Sequence, residues 1–168
     1  MNLAMTSAEF YKPGSITTGG ASDTAYFIAF IAEQVQKGRG HLQSSHSLGL
    51  GAKRVLEDLI KVAEECRSAN WDGYGAAPIT NETFWQAYHF LSALPFGFPT
   101  PSVGAEPDGH LTFEWHRSSR RTLSISISPE GELHYAALLG SSKAYGTEPF
   151  SGTVPKIILD LIHRVCSI

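Results

Sequence analysis

From Ala52 onward the hydrophobic and polar positions follow two periods in succession, first helical and then alternating. Between Ala52 and Ala69, Leu56, Leu59, Ile60, Ala63 and Cys66 recur at helical spacing, with Glu57, Asp58, Lys61 and Glu64 opposite. That is the pattern of a helix with one buried stripe. A second helix is predicted over 81–94, where Phe84, Ala87, Tyr88 and Leu91 form the stripe. Thr80 or Asn81 would cap it, and the run Pro95-Phe96-Gly97-Phe98-Pro99 would stop it.

After Ser102 the period falls to two. Four strands are predicted: 102–106, 110–116, 122–128 and 132–139. The segments Pro107-Asp108-Gly109 and Pro129-Glu130-Gly131 read as turns, because Pro presets φ and Gly accepts a positive φ. Connections this short allow only antiparallel neighbours. Leu111, Phe113, Trp115, Leu123, Ile125, Ile127, Leu133, Tyr135 and Ala137 should share one face, and Thr112, Glu114, His116, Ser124, Ser126, Ser128 and His134 the other. Tyr145, Gly146, Thr147 and Glu148 read as loop. A last helix follows, with Thr153 as its cap, Pro155 in its first turn, and Val154, Ile157, Ile158, Leu161, Ile162 and Val165 on one face.

The first fifty residues give a weaker pattern. Residues 1–22 are rich in Ser, Thr and Gly and read as a loosely docked arm. A helix over 23–37 is plausible, although Tyr26-Phe27-Ile28-Ala29-Phe30-Ile31 is apolar all round and also suits a buried strand. Residues 38–51 carry the Gly and Ser punctuation of a linker. The expectation is therefore an N-terminal arm over 1–51 and an α+β domain over 52–168. In that domain a four-stranded antiparallel meander is packed on one face by helices, in the order α-α-α-β-β-β-β-α for the whole chain.

Composition narrows the function classes. A net charge of −3 over 168 residues argues against a general nucleic-acid or membrane-surface binder. The longest apolar stretch, 25–32, falls far short of the about 20 residues needed to span a membrane, and no basic and apolar leader opens the chain. A cytoplasmic location is expected. Cys66 and Cys166 lie on apolar helix faces and read as buried thiols, and no Cys/His spacing suits structural zinc, so neither metal nor cofactor is expected.

Three groups of residues carry candidate chemistry, each with a plain structural reading beside it. In Trp71-Asp72-Gly73-Tyr74-Gly75-Ala76 two aromatics flank an acid, so Trp71, Asp72 and Tyr74 could form a ligand or partner wall. Equally, the rings could plug the gap between two helices while Asp72 bonds its own turn. Glu106, Asp108, Glu114, His116 and His134 put acid and imidazole on the polar sheet face. Asp108, Glu114 and His116 are the candidates for metal-assisted or acid–base chemistry, against a solvated face with a turn aspartate. Arg117, Arg120 and Arg121 form a basic hairpin tip suited to phosphate or carboxylate, against a tip charged for solubility. No nucleophile elbow and no Cys/His pairing is present.

Asn70-Trp71-Asp72-Gly73-Tyr74-Gly75-Ala76 with Pro78, followed by Glu106-Pro107-Asp108-Gly109 and Glu114-Trp115, resembles a group of small uncharacterised bacterial proteins. The resemblance spans about 70–165. It implies the C-terminal meander and helix, and it carries no activity with it. Absent a catalytic signature, the expected function is a non-catalytic binding or assembly module, accessory or immunity-like, with a protein partner or self-association. The alternatives are a small metal-dependent hydrolase or nuclease on the polar face and a small-ligand sensor at Trp71.

Overall fold

The structure is a computed structural model and describes residues 50–167. The predicted arm, its helix or strand over 23–37 and most of the linker lie outside the described residues. Among the described residues there are three helices and five strands: α1 (Leu50–Glu65), α2 (Asn81–Ala93), β1 (Ser102–Ala105), β2 (Leu111–Ser118), β3 (Arg121–Ile127), β4 (Glu132–Leu139), β5 (Ser142–Pro149) and α3 (Lys156–Cys166). The strands form one antiparallel meander in chain order. No helix among the described residues is long and apolar enough to cross a membrane.

The alternating pattern becomes a two-faced sheet. Phe113 pairs with Ile125 and Ile125 with Tyr135, so the apolar positions of successive strands fall in rows on one side. Leu111, Phe113, Leu123, Ile125, Ile127 and Leu133 are completely buried there. The amphipathic α3 lays Ile158, Leu161, Ile162 and Val165 across β2, β3 and β4, while α1 packs on β1 and α2. Phe90 of α2 stacks on Phe113 with ring centroids 5.6 Å apart and meets Phe150 edge-on at 5.8 Å. Trp115 spends its indole N–H on the Pro99 carbonyl at 2.7 Å, so its burial leaves no donor unpaired.

Three expectations need correction. The segment read as loop is a full strand, β5, paired with β4 from Glu132↔Pro149 to Leu139↔Ser142. Its core-side positions are Ala144, Gly146 and Glu148, which give no alternating apolar signal. Gly146 leaves room for Tyr135, which lies over it: a Cβ there would sit 2.7 Å from the phenol oxygen, and the ring would have to shift. The second correction concerns α3. Thr153 does not cap it; Pro155 takes the N-cap position, and its carbonyl accepts from Ile158 and Leu159. Thr80, by contrast, caps α2 through its hydroxyl, which accepts the Thr83 N–H at 3.2 Å. Cys66 is buried as expected, whereas Cys166 is only half-buried, and both are free thiols.

Candidate functional site

The connection from α1 to α2 closes on itself. Asn70 adopts φ 62°, its backbone N–H donates to Ala76 O at 2.7 Å, and its side-chain oxygen accepts from Gly75 N at 2.7 Å. Asp72 Oδ1 accepts from Tyr74 N at 2.8 Å and from Ala76 N at 3.1 Å, an Asx turn with a second strut. The Tyr74 N–H, followed by that of Ala76, holds the Asp72 carboxyl below its ordinary range. Trp71 donates its indole N–H to Ala77 O at 3.0 Å. Trp71 and Asp72 thus serve the loop itself, and what the loop presents is Tyr74, 94% exposed at its tip.

The loop docks on the β1–β2 turn. Ala77 N donates to Pro107 O at 2.8 Å. Gly109, buried and at φ 88°, runs so close that a Cβ would meet Pro78 O at 3.1 Å. The turn is a three-residue hairpin connection: Gly109 N bonds Glu106 O at 3.0 Å, and Glu106 N bonds His110 O at 2.9 Å. The same geometry recurs in the β3–β4 turn, where Gly131 N bonds Ser128 O and Ser128 N bonds Glu132 O, both at 3.1 Å. Both turns follow a Pro-acid-Gly sequence, so Asp108 and Glu130 occupy equivalent corners at one end of the sheet.

Around these corners acid and imidazole converge. Glu106, Asp108 and His110 each offer one ligand atom within 4.8 Å of the others. His110 Nδ1 lies 3.5 Å from Asp108 Oδ2 and 3.2 Å from Ser126 Oγ. Its ring stacks on His134, centroids 5.7 Å apart and planes 8° apart, and Ser126 is buried beside the pair. His134 in turn meets Thr147 Oγ1 at 2.9 Å and Glu132 at 3.8 Å. The Glu106 carboxylate accepts from the Thr112 hydroxyl. Glu130 is held below its ordinary range, chiefly by the Ser128 hydroxyl and more weakly by the charge of His110.

Of the residues singled out from the sequence, Trp71, Asp72, Tyr74, Glu106, Asp108 and His134 come together at this end. Glu114 and His116 lie further along β2 and pair with each other at 3.7 Å, with His116 also meeting Thr122 Oγ1 at 3.1 Å. They do not belong to the grouping that includes Asp108. His110 was missed. Its signal was parity: it shares the alternating face of Thr112 and Glu114, directly after an aspartate turn. Arg117, Arg120 and Arg121 are exposed at the opposite end of the sheet, where the register of β2 against β3 shifts between His116 and Ser118.

Comparison with protein-family models, curated proteins and solved structures found no match.

Proposed function

We propose that the chain is a non-catalytic binding module of a bacterial cytoplasmic system, accessory or immunity-like, whose contact surface is the turn end of the sheet. One observation carries this reading: Tyr74 stands almost fully exposed on a loop whose backbone is fixed by its own hydrogen bonds and docked on an acidic turn. A loop held this way gives up little backbone entropy on binding, which favours its exposed ring as an anchor. The carboxylates of Glu106, Asp108, Glu130 and Glu132 at the same end of the sheet favour a partner protein with a basic surface, whose arginines can fork onto carboxylate and lie on the phenol ring. Asp72 Oδ1 and the Trp71 indole N–H are engaged inside the loop, which weighs against a small-ligand sensor there. The test is quantitative capture from source cells on immobilised protein, comparing wild type with Tyr74→Ala and Asp108→Asn. A partner retained by wild type and lost with both variants supports the reading. Retention indifferent to both substitutions refutes it.

A second reading is favoured by the Glu106/Asp108/His110 grouping: a metal-dependent hydrolase or nuclease in which these three hold a divalent ion. Two carboxylates and an imidazole suit a cation such as Mn²⁺ or Zn²⁺. Calorimetric titration with Mn²⁺ should then show one site that Glu106→Gln abolishes, and a flat titration removes this reading.

A further inference from the structure

The two ends of the sheet carry opposite charge. The turn end bears Glu106, Asp108, Glu130 and Glu132, whereas the hairpin end bears Arg117, Arg120, Arg121 and Lys143 with no acid among residues 116–122 or 138–143. At the hairpin end the last turn of α3 meets the start of β3 and the β4–β5 turn. Between them lies an open recess of about 380 Å³, lined by Arg121, Leu139, Gly140, His163, Arg164 and Ser167.

The recess is built from donors. Arg121 reaches across to α3 and donates Nη1 to Ser167 O at 2.6 Å, which fixes its guanidinium near the rim. A helix C-terminus ordinarily repels anions through its free carbonyls. Here the His163 carbonyl accepts both the Ser167 N–H at 2.8 Å and the Ser167 hydroxyl at 2.6 Å, and the Ser167 carbonyl is taken by Arg121. Two of the carbonyls that would oppose an anion are therefore occupied. Among the described residues no carboxylate forms an ion pair with Arg121 or Arg164, Asp160 one turn earlier included. Arg117 and Arg120 add positive potential from the hairpin.

We infer that this recess binds a small phosphomonoester or free phosphate, with Arg164 and Arg121 as the anion clamp and the His163 imidazole beside them. Guanidinium forks match phosphate oxygens in pairs, and an exposed arginine with no ion pair among the described residues, beside a fixed one, supplies two such forks. The volume lies at the low end of small-ligand pockets, which run from roughly 300 to 1,000 Å³. Arg121 and Arg164 line one concavity on a chain of net charge −3, which favours a compact anion over a nucleic-acid backbone.

The experiment is amide NMR of the full chain at low salt, titrated separately with inorganic phosphate and phenyl phosphate. Saturable shifts at Gly140, Arg164 and Ser167 are expected, larger with phenyl phosphate if a phosphomonoester is the ligand and equal if free phosphate is. Arg164→Gln, a change at an exposed position, should weaken binding about tenfold or more, the loss expected for one charged hydrogen-bonded contact. Arg121→Lys should weaken it less, because the charge stays while the fork is lost. Lys53→Gln, which removes a distant exposed charge on α1, should leave the affinity unchanged. The inference is overturned if no saturable shift occurs at tens of millimolar anion, or if Lys53→Gln weakens binding as much as Arg164→Gln. A single-stranded oligonucleotide that binds these residues without competition from phosphate overturns it as well.

Discussion

Replacing Gly109 by Ala probes the seam on which the candidate site depends. Gly109 has φ 88°, a conformation that costs an L-residue roughly 1–2 kcal/mol. It also lies under Pro78, so the new Cβ would press on a backbone carbonyl 3.1 Å away and on the Ala77 methyl at 3.5 Å. Crowding of this kind adds about 1 kcal/mol or more, for a total of roughly 2–4 kcal/mol. Gly140 is the matched control, since it has φ 74° and nothing within 4 Å of its built Cβ, so only the conformational part applies. For a domain of about this size each kcal/mol moves Tm by roughly 4 °C, so Gly140→Ala should lose about 4–8 °C and Gly109→Ala about 8–16 °C. Thermal unfolding followed by circular dichroism measures both. Amide hydrogen exchange at Ala77, whose N–H is given to Pro107 O, should accelerate in Gly109→Ala alone. Equal Tm losses with an unchanged Ala77 amide would mean that the loop and the turn do not pack together.

Other outcomes follow from single residues. Tyr74→Ala should shift stability by no more than about 0.5 kcal/mol, because the ring is 94% exposed; a large Tm drop would show the ring packed rather than presented. Phe90→Ala, which empties the centre of a three-ring cluster, should cost about 3–5 kcal/mol in denaturant unfolding; a cost under about 1 kcal/mol would contradict that packing. Asp72 titrates below its unfolded value, so its contribution to stability is complete above the unfolded pKa and disappears as pH falls through the lower folded one. The stability gap between wild type and Asp72→Asn should accordingly be full at neutral pH and close in acid below about pH 4, near the unfolded aspartate value. A gap that persists unchanged in strong acid would disprove the charge assistance of the Asp72 turn.

Much of the sheet was legible because burial imposes a period. The alternation of Leu111-Phe113-Trp115 and its counterparts on β3 and β4 is the direct imprint of a one-sided core, and each of these residues is buried. β5 escaped for the converse reason. It lies at the sheet edge with Lys143, Tyr145 and Thr147 exposed on one side, and its core side is reduced to Ala144 and Gly146 beneath the Tyr135 ring. A strand whose neighbour supplies the bulk has no apolar period of its own. Thr153 illustrates a local ambiguity, since a threonine two residues before a proline reads as a cap until the backbone shows Pro155 there.

For the site, the individual loops were legible and their meeting was not. Trp71-Asp72-Gly73-Tyr74 and Pro107-Asp108-Gly109 declare turns through their own residues, but residues 75–106 lie between them, and their contact depends on how α2 returns to the sheet. The weight given to Glu114 and His116 came from spacing along a single strand. The geometry favours His110 instead, because convergence with Glu106 and Asp108 is set by a hairpin turn and stacking on His134 by the register of β2, β3 and β4.

The most direct test of the binding-module account is site-specific photocrosslinking in source cells, with benzoylphenylalanine in place of Tyr74 and, separately, of Tyr145. Both positions are highly exposed, but Tyr145 lies on the open face of β5, away from the acidic turns. The account predicts a discrete crosslinked protein from the Tyr74 position, carrying a basic surface at the site of attachment, and none from the Tyr145 position. No adduct at the Tyr74 position, or the same adduct from both, would contradict it.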